Sequence, residues 1–275
     1  MRKAIFLLSC VFACARVAAG TPIYSNLALD GRMAAASRPE PPSPEIEAAD
    51  DFILSGGVFV TEFKFIGLIT GGGAVNVADT NLEIYRVFPK DSDTVRIPVV
   101  PTRMNSPSDV AFAERDFAQL NLTITQIATN VTAANSVKNG INTAPPFQTN
   151  GEGPVTGTEV MFDAVLKTPL FLPQDHYFFV PQISVTGGDF FWLSASRPIV
   201  PPGTPINPDL QAWIRNGNLD PDWLRIGTDI VGGANPPTFN MAFEVDGIPT
   251  PEPASLLLLG TGLSFVVRRF RRPRV

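Results

Sequence analysis

Apolar and polar positions alternate with a period of two through the middle of the chain, the pattern of strands that bury one face. Leu82–Phe88 reads Leu-Glu-Ile-Tyr-Arg-Val-Phe, and Leu120–Thr125 (Leu-Asn-Leu-Thr-Ile-Thr) alternates without a break. Val58–Ile69 carries Phe59, Phe63 and Phe65 at odd positions, which predicts all three rings on one face. Further strands are predicted at Ala48–Leu54, Glu159–Lys167, Tyr177–Val185, Asp189–Ala195, Asp222–Gly227 and Thr238–Val245. Ile97–Arg103 reads as a short edge strand, because Pro98 and Pro101 cannot donate to a ladder. Ser106–Asp116 opens with Ser-Pro-Ser-Asp and predicts one or two helical turns. Asn130–Gly157 is polar throughout and predicts a long loop with a short helix at Ser136–Asn139. No long stretch has the 3.6-residue period of an amphipathic helix, and no repeat of fixed length appears, which disfavours a solenoid or propeller.

Short strands with turn residues every 8–12 positions predict an all-β fold, an antiparallel β-sandwich of jelly-roll type, over residues 48–247. Residues 21–47 contain Arg38-Pro39-Glu40-Pro41-Pro42-Ser43-Pro44 and predict a loosely structured, Pro-rich arm. Within it, Ile23–Leu27 has the pattern of an edge strand.

The two ends of the chain have a different character. Residues 1–20 carry Arg2 and Lys3, an apolar run from Ala4 to Ala15, and the small residues Ala18, Ala19 and Gly20, the layout of a secretory signal peptide. Residues 248–275 hold three parts in order: Pro251-Glu252-Pro253, a 14-residue apolar run from Ala254 to Val267, and a basic cluster of Arg268, Arg269, Arg271, Arg272 and Arg274. As a helix the run would span about 21 Å, short for a hydrocarbon core of about 30 Å. The arginines beside it would stay on the cytoplasmic side and place everything before Pro249 outside the cytoplasm.

This tripartite tail resembles the PEP-CTERM sorting signal of Gram-negative bacteria. The resemblance covers about a tenth of the chain. It implies that the tail holds the protein in the inner membrane through a single hydrophobic helix until an exosortase cuts near Pro251-Glu252-Pro253. The freed protein would then associate with the envelope or an extracellular exopolysaccharide matrix. The Ala49-Asp50-Asp51-Phe52 start and the Leu172-Pro173 to Tyr177-Phe178-Phe179 stretch also resemble exported bacterial sandwich domains of unassigned function. That likeness implies a fold and a location, with no catalytic residues to carry over.

Composition narrows the chemistry. Both cysteines, Cys10 and Cys14, fall in the leader, so the rest of the chain has no thiol for catalysis, disulfides or zinc. Of 21 basic and 26 acidic residues, setting aside Arg2, Lys3, Arg16, the five tail arginines and Glu252 leaves residues 21–248 with 13 against 25, a net of −12. So acidic a body repels nucleic-acid phosphates and anionic lipid surfaces, so nucleic acid is not expected as a partner.

His176 is the only histidine, and Asp175 beside it would point to the opposite strand face, so the pair predicts a turn cap and not a catalytic device. Glu159 and Asp163 would share a face of their strand, the minimum for a glycosidase pair, but the remaining acids gather at predicted turns where solvent meets them. Asp50-Asp51, Asp91-Ser92-Asp93 and Asp220-Pro221-Asp222 supply oxygens compatible with a structural Ca²⁺, though none fits an EF-hand loop, and no other cofactor is expected. Trp192 alternates with Phe190 and Ser194 and predicts a core position. Trp213 and Trp223 sit among Gln211, Arg215, Asp222 and Arg225, which leaves exposure and core burial both open and makes them the candidate sugar-stacking residues. The functional expectation is a non-catalytic, polysaccharide-associated or structural protein of the envelope or matrix. The alternatives are a secreted glycan hydrolase and a surface adhesin that binds protein partners.

Overall fold

The computed structural model describes residues 20–41, 43–72, 75–197, 199–200, 204–205 and 209–250. The predicted leader, the Pro251-Glu252-Pro253 motif, the apolar run and Arg268, Arg269, Arg271 and Arg272 lie outside the described residues.

The chain is an all-β sandwich. Its strands are β1 (Thr21–Asn26), β2 (Leu29–Ala36), β3 (Ile46–Leu54), β4 (Val58–Ile69), β5 (Val77–Val87), β6 (Pro107–Asp116), β7 (Leu120–Ala133), β8 (Asn135–Val137) and β9 (Val155–Leu172). There follow β10 (Asp175–Val185), β11 (Phe190–Ala195), β12 (Ile199–Val200), β13 (Thr204–Pro205), β14 (Trp213–Asn216), β15 (Leu224–Arg225), β16 (Asn240–Met241) and β17 (Phe243–Pro249). The first sheet runs β1-β17-β4-β11-β2-β8, with β9 and β7 continuing from β4 and β16 on β11. The second runs β15-β14-β3-β10-β5-β6, and β12 pairs with β13. Among the described residues all pairings are antiparallel except β2 with β8.

Between the sheets, rings interlock. Phe63 of β4 stacks on Phe179 of β10 at 4.6 Å, and Phe65 stacks on Phe162 of β9 at 4.9 Å. Trp192 closes on Phe179 and Phe243 edge-on, and its indole N–H donates to the Ala242 carbonyl at 2.9 Å. The core position predicted for Trp192 is the observed one.

β10 (Asp-His-Tyr-Phe-Phe-Val-Pro-Gln-Ile-Ser-Val) is apolar on both faces through its middle, and both faces are covered. Tyr177 and Phe179 point into the main core, while Phe178 and Val180 belong to a second cluster with Ala49, Tyr85, Trp213 and Trp223 on the outer side of the second sheet. Two irregular segments roof that cluster. Residues 88–106 are tied to residues 217–223 through Arg96 to Asp222 at 2.7 Å and the Val99 N–H donating to Asp222 at 2.8 Å.

Several local expectations are corrected. The arm over 21–47 is not loosely structured: β1 is an edge strand on β17, as Ile23–Leu27 suggested, and β2 pairs with β11, with Tyr24 and Ala34–Ala36 buried. Ser106–Asp116 is strand β6, not a helix, with one 3₁₀ turn after it at Phe117–Gln119; β5 supplies its partner edge. Ile97–Arg103 is irregular, held by side-chain ion pairs in place of a ladder. Ser136–Asn139 is not helical, since Asn135–Val137 extends as β8 against β2.

One register shift turns a ring outward. Opposite both β9 and β17 a bulge interrupts β4 around Thr61, so Phe63 and Phe65 point inward while Phe59 points outward, 44% exposed. A strict period of two had placed all three on one face.

Candidate functional site

The polar surface feature best built by the fold is a cleft of about 370 Å³ where the start of β2, the end of β11 and β16 meet. Asp30, Arg32, Arg197, Asp209, Thr238 and Asn240 line it. A second cleft of about 190 Å³ adjoins it, shares Asp209 and Thr238, and is lined also by Met104, Gln211, Trp213 and Arg225.

Each polar side chain is held from behind. Asp30 Oδ1 accepts from Ser194 Oγ at 2.5 Å and from the Arg32 N–H at 3.0 Å, and Ser194 Oγ in turn accepts from the Met33 N–H at 2.8 Å. Arg32 lies over the Phe239 ring with its guanidinium carbon 4.9 Å from the centroid. Asn240 Nδ2 donates to Asp209 Oδ1, and Arg197 pairs with Asp209 Oδ2 at 3.4 Å. Burial pushes the Asp209 carboxyl above the usual carboxylate range, opposed by the Asn240 hydrogen bond.

A layer beneath fixes the chain next to Asp209. Asp51, on the outer face of β3, accepts from the Leu210 N–H at 3.0 Å through Oδ1 and meets His176 Nε2 at 2.6 Å through Oδ2. Its neighbour Asp50 faces the core, fully buried, and accepts from the Met241 N–H at 2.7 Å. Burial and the charge of Asp51 raise the Asp50 pKa well above its ordinary value. Asp50-Asp51 is therefore not a turn that offers oxygens to a cation; it is mid-strand and organises β16 and the 209–210 segment. Sequence reasoning missed the Asp51–His176 contact because it crosses strands, joining β3 to β10 diagonally past the Ile53–His176 pair.

The predicted sugar-stacking residues are corrected. Trp213 and Trp223 are each only 1% exposed, so neither offers a ring face to a sugar. Arg215 and Asp222 are buried too, while Gln211 and Arg225 are half-buried. Arg215 is 5% exposed, pairs with Glu47, and lies 4.3 Å over the Trp223 ring; Asp222 is 2% exposed and pairs with Arg96. The charges beside these rings are paired with counter-charges and do not mark solvent.

Glu159 and Asp163 do share the outer face of β9. Asp163 sits opposite Lys64, in a row that runs Ser25, Glu244, Lys64, Asp163, Thr123 across five strands. Lys64 Nζ donates to Glu244 at 2.8 Å and to Asp246 at 2.6 Å. One row away, burial and a hydrogen bond with Asp163 push Glu62 up to about 7. The ladder is open and paired within itself, while Glu159 stands apart from it and lines a mainly apolar pocket of about 220 Å³ with Leu29, Val131 and Leu193. Among the described residues no three acidic or histidine side chains gather closely enough to hold a metal ion, and no helix is long and apolar enough to cross a membrane.

The C-terminal end of the body is firmly placed. β17 stays paired with β4 to Pro249 opposite Val58, and Thr250 donates to the Gly57 carbonyl from both its N–H (2.8 Å) and its Oγ1 (2.9 Å). No curated protein sequence and no solved structure matches the chain. Residues 249–272, beginning where β17 ends, match the PEP-CTERM protein-sorting motif, and the chain is thus an exported protein of the exosortase-sorted class.

Proposed function

We propose that this sorted protein reaches the cell envelope or extracellular matrix and associates there with polysaccharide without catalysis, through the cleft around Asp209. The supporting observation is the lining itself: Asp30, Asp209 and Asn240 present fixed carboxylate and amide groups, and Arg32 and Arg197 half-exposed guanidiniums, around about 370 Å³, a donor and acceptor set suited to sugar hydroxyls. The acidic body favours a neutral or cation-bridged glycan over a strongly anionic one.

Hydrolysis needs one carboxyl free to protonate and another free to attack or to activate water. Asp30 and Asp209 are instead each engaged by neighbouring side chains, Ser194 for the first and Asn240 and Arg197 for the second. That favours binding over bond cleavage.

The test is retention of the folded body on the producer's own exopolysaccharide, with and without Ca²⁺, for the parent and for Arg32→Ala and Asp209→Asn. Retention that falls in both variants supports the cleft. Equal retention in parent and variants moves binding elsewhere, and release of reducing ends from the glycan would replace the binder with a hydrolase.

A further inference from the structure

The fold ends within a few residues of the segment that enters the membrane, and an outward apolar row marks that end. Thr250 is anchored to Gly57, and the apolar run begins at Ala254. Four Cα steps separate them, at most about 14 Å of extended chain. A bilayer of about 40–45 Å with a hydrocarbon core of about 30 Å leaves only about 5–8 Å for each headgroup layer. Whatever path Pro251-Glu252-Pro253 takes, the Thr250 end of the sandwich cannot stand far from that layer while the tail is inserted.

The side chains at this end suit such a neighbour. The bulge in β4 turns Phe59 outward, where it falls in register with Ile248 of β17 on one side and Phe171 of β9 on the other. Phe59 and Phe171 are 44% and 47% exposed, with centroids 5.1 Å apart. Phe171 also packs beside Gly57 and so beside Thr250: a Cβ built on Gly57 would lie 2.9 Å from Thr250 Oγ1 and 3.1 Å from Phe171 Cε2. The adjoining turn, Ser55-Gly56-Gly57, carries no charge. Exposed aromatics with an uncharged turn are what a protein presents to the boundary between headgroups and acyl chains.

We infer that, before processing, the Ile248–Phe59–Phe171 row rests on the headgroup layer of the membrane that holds the chain's own tail. The inference depends on the tail being membrane-inserted, as the sorting motif implies.

The experiment uses the chain without its leader, so that Cys10 and Cys14 take no label, but with its tail, reconstituted in zwitterionic vesicles of phosphatidylethanolamine and phosphatidylcholine so that the acidic body is not repelled. Ser55→Cys at this end and Thr186→Cys at the far end are each labelled with a polarity-sensitive fluorophore and probed with headgroup-depth spin-labelled lipid. Expected are a blue shift and quenching at position 55, neither at position 186, and loss of most of the position-55 signal when Phe59→Ser and Phe171→Ser are added. Protein that fails to float with the vesicles would overturn the membrane-inserted reading itself. Protein that floats with position 55 as unquenched as 186, or with quenching unmoved by loss of both rings, would overturn the docking row alone.

Discussion

Glu83 offers the sharpest physical test of how the second sheet is held. Its carboxyl is 8% exposed, accepts from Asn81 Nδ2 at 2.9 Å, lies 2.9 Å from Tyr85 Oη, and shares its surroundings with Glu47. Tyr85 has one hydroxyl proton, which it donates to Glu47 Oε1 at 2.9 Å, so the protonated Glu83 carboxyl is the donor toward Tyr85 Oη. Arg215 donates to Glu47 and, at 2.9 Å, to Tyr85 Oη. Two buried carboxyls thus face one guanidinium. Burial, then the Glu47 charge, push Glu83 up to about 8 from an ordinary value of 4.5.

The sign follows from proton counting. Between about pH 4.5 and pH 8 the folded protein keeps a proton that the unfolded chain releases, so this group makes stability fall as pH rises through that window. At about 1.4 kcal/mol per pH unit, the loss between pH 5 and pH 8 is on the order of 3–4 kcal/mol. Glu83→Gln keeps the shape, the acceptor for Asn81 and a donor toward Tyr85, and cannot ionise. Urea unfolding of the parent and Glu83→Gln at pH 5, 6.5 and 8 is the assay. The variant is expected to match the parent within about 1 kcal/mol at pH 5 and to exceed it by about 3 kcal/mol at pH 8. Comparison with the variant isolates Glu83 from Glu62, which titrates near 7 on the other sheet. Parallel curves for the two proteins, or a parent that gains stability toward pH 8, would show that folded Glu83 keeps no such proton.

Other expectations follow from the packing. Trp223→Ala should cost about 3–5 kcal/mol in chemical unfolding, because it empties a site 1% exposed beneath Arg215, and should leave glycan retention unchanged while the protein remains folded. Gly67→Ala would set a Cβ 2.2 Å from the Phe190 ring and 2.7 Å from the Phe191 carbonyl, with an expected loss of at least about 2 kcal/mol, read from the shift of the urea midpoint. Lys64→Met strands Asp246, whose side chain is 5% exposed, and should destabilise by about 1–3 kcal/mol, read from urea unfolding at neutral pH.

The sandwich was legible because its central strands obey a period of two: Leu82–Phe88 and Leu120–Thr125 became parts of β5 and β7. The elements that were missed depend on partners distant in sequence. β2 has a run of small residues, Met33–Ala36, that carries no strand signal until β11 supplies its edge. β6 opens with Ser-Pro-Ser-Asp and is extended because β5 pairs with it. A single bulge at Thr61 reversed the face of Phe59, and nothing local announces it.

The sorting motif was readable as a linear order of residue types. The cleft was not, because Asp30, Asp209 and Asn240 are far apart in the chain and are brought together only by β2, β11 and β16. Trp213 and Trp223 misled for a related reason: Arg215 and Asp222 looked like markers of solvent, yet each is buried with a counter-charge, and alternation cannot separate a paired buried ion from a hydrated one.

Export followed by processing at the C-terminal motif would shorten the protein that leaves the membrane. The direct measurement is intact mass and C-terminal sequencing of the protein recovered from the membrane and from outside the cell, in a producing strain and in one lacking the exosortase. The external form is expected to end close to Thr250–Pro253 and to lack Arg268–Val275, and the deletion strain to hold the full tail in its membrane fraction. An external form with its arginine cluster intact, or the same truncation in both strains, would contradict it.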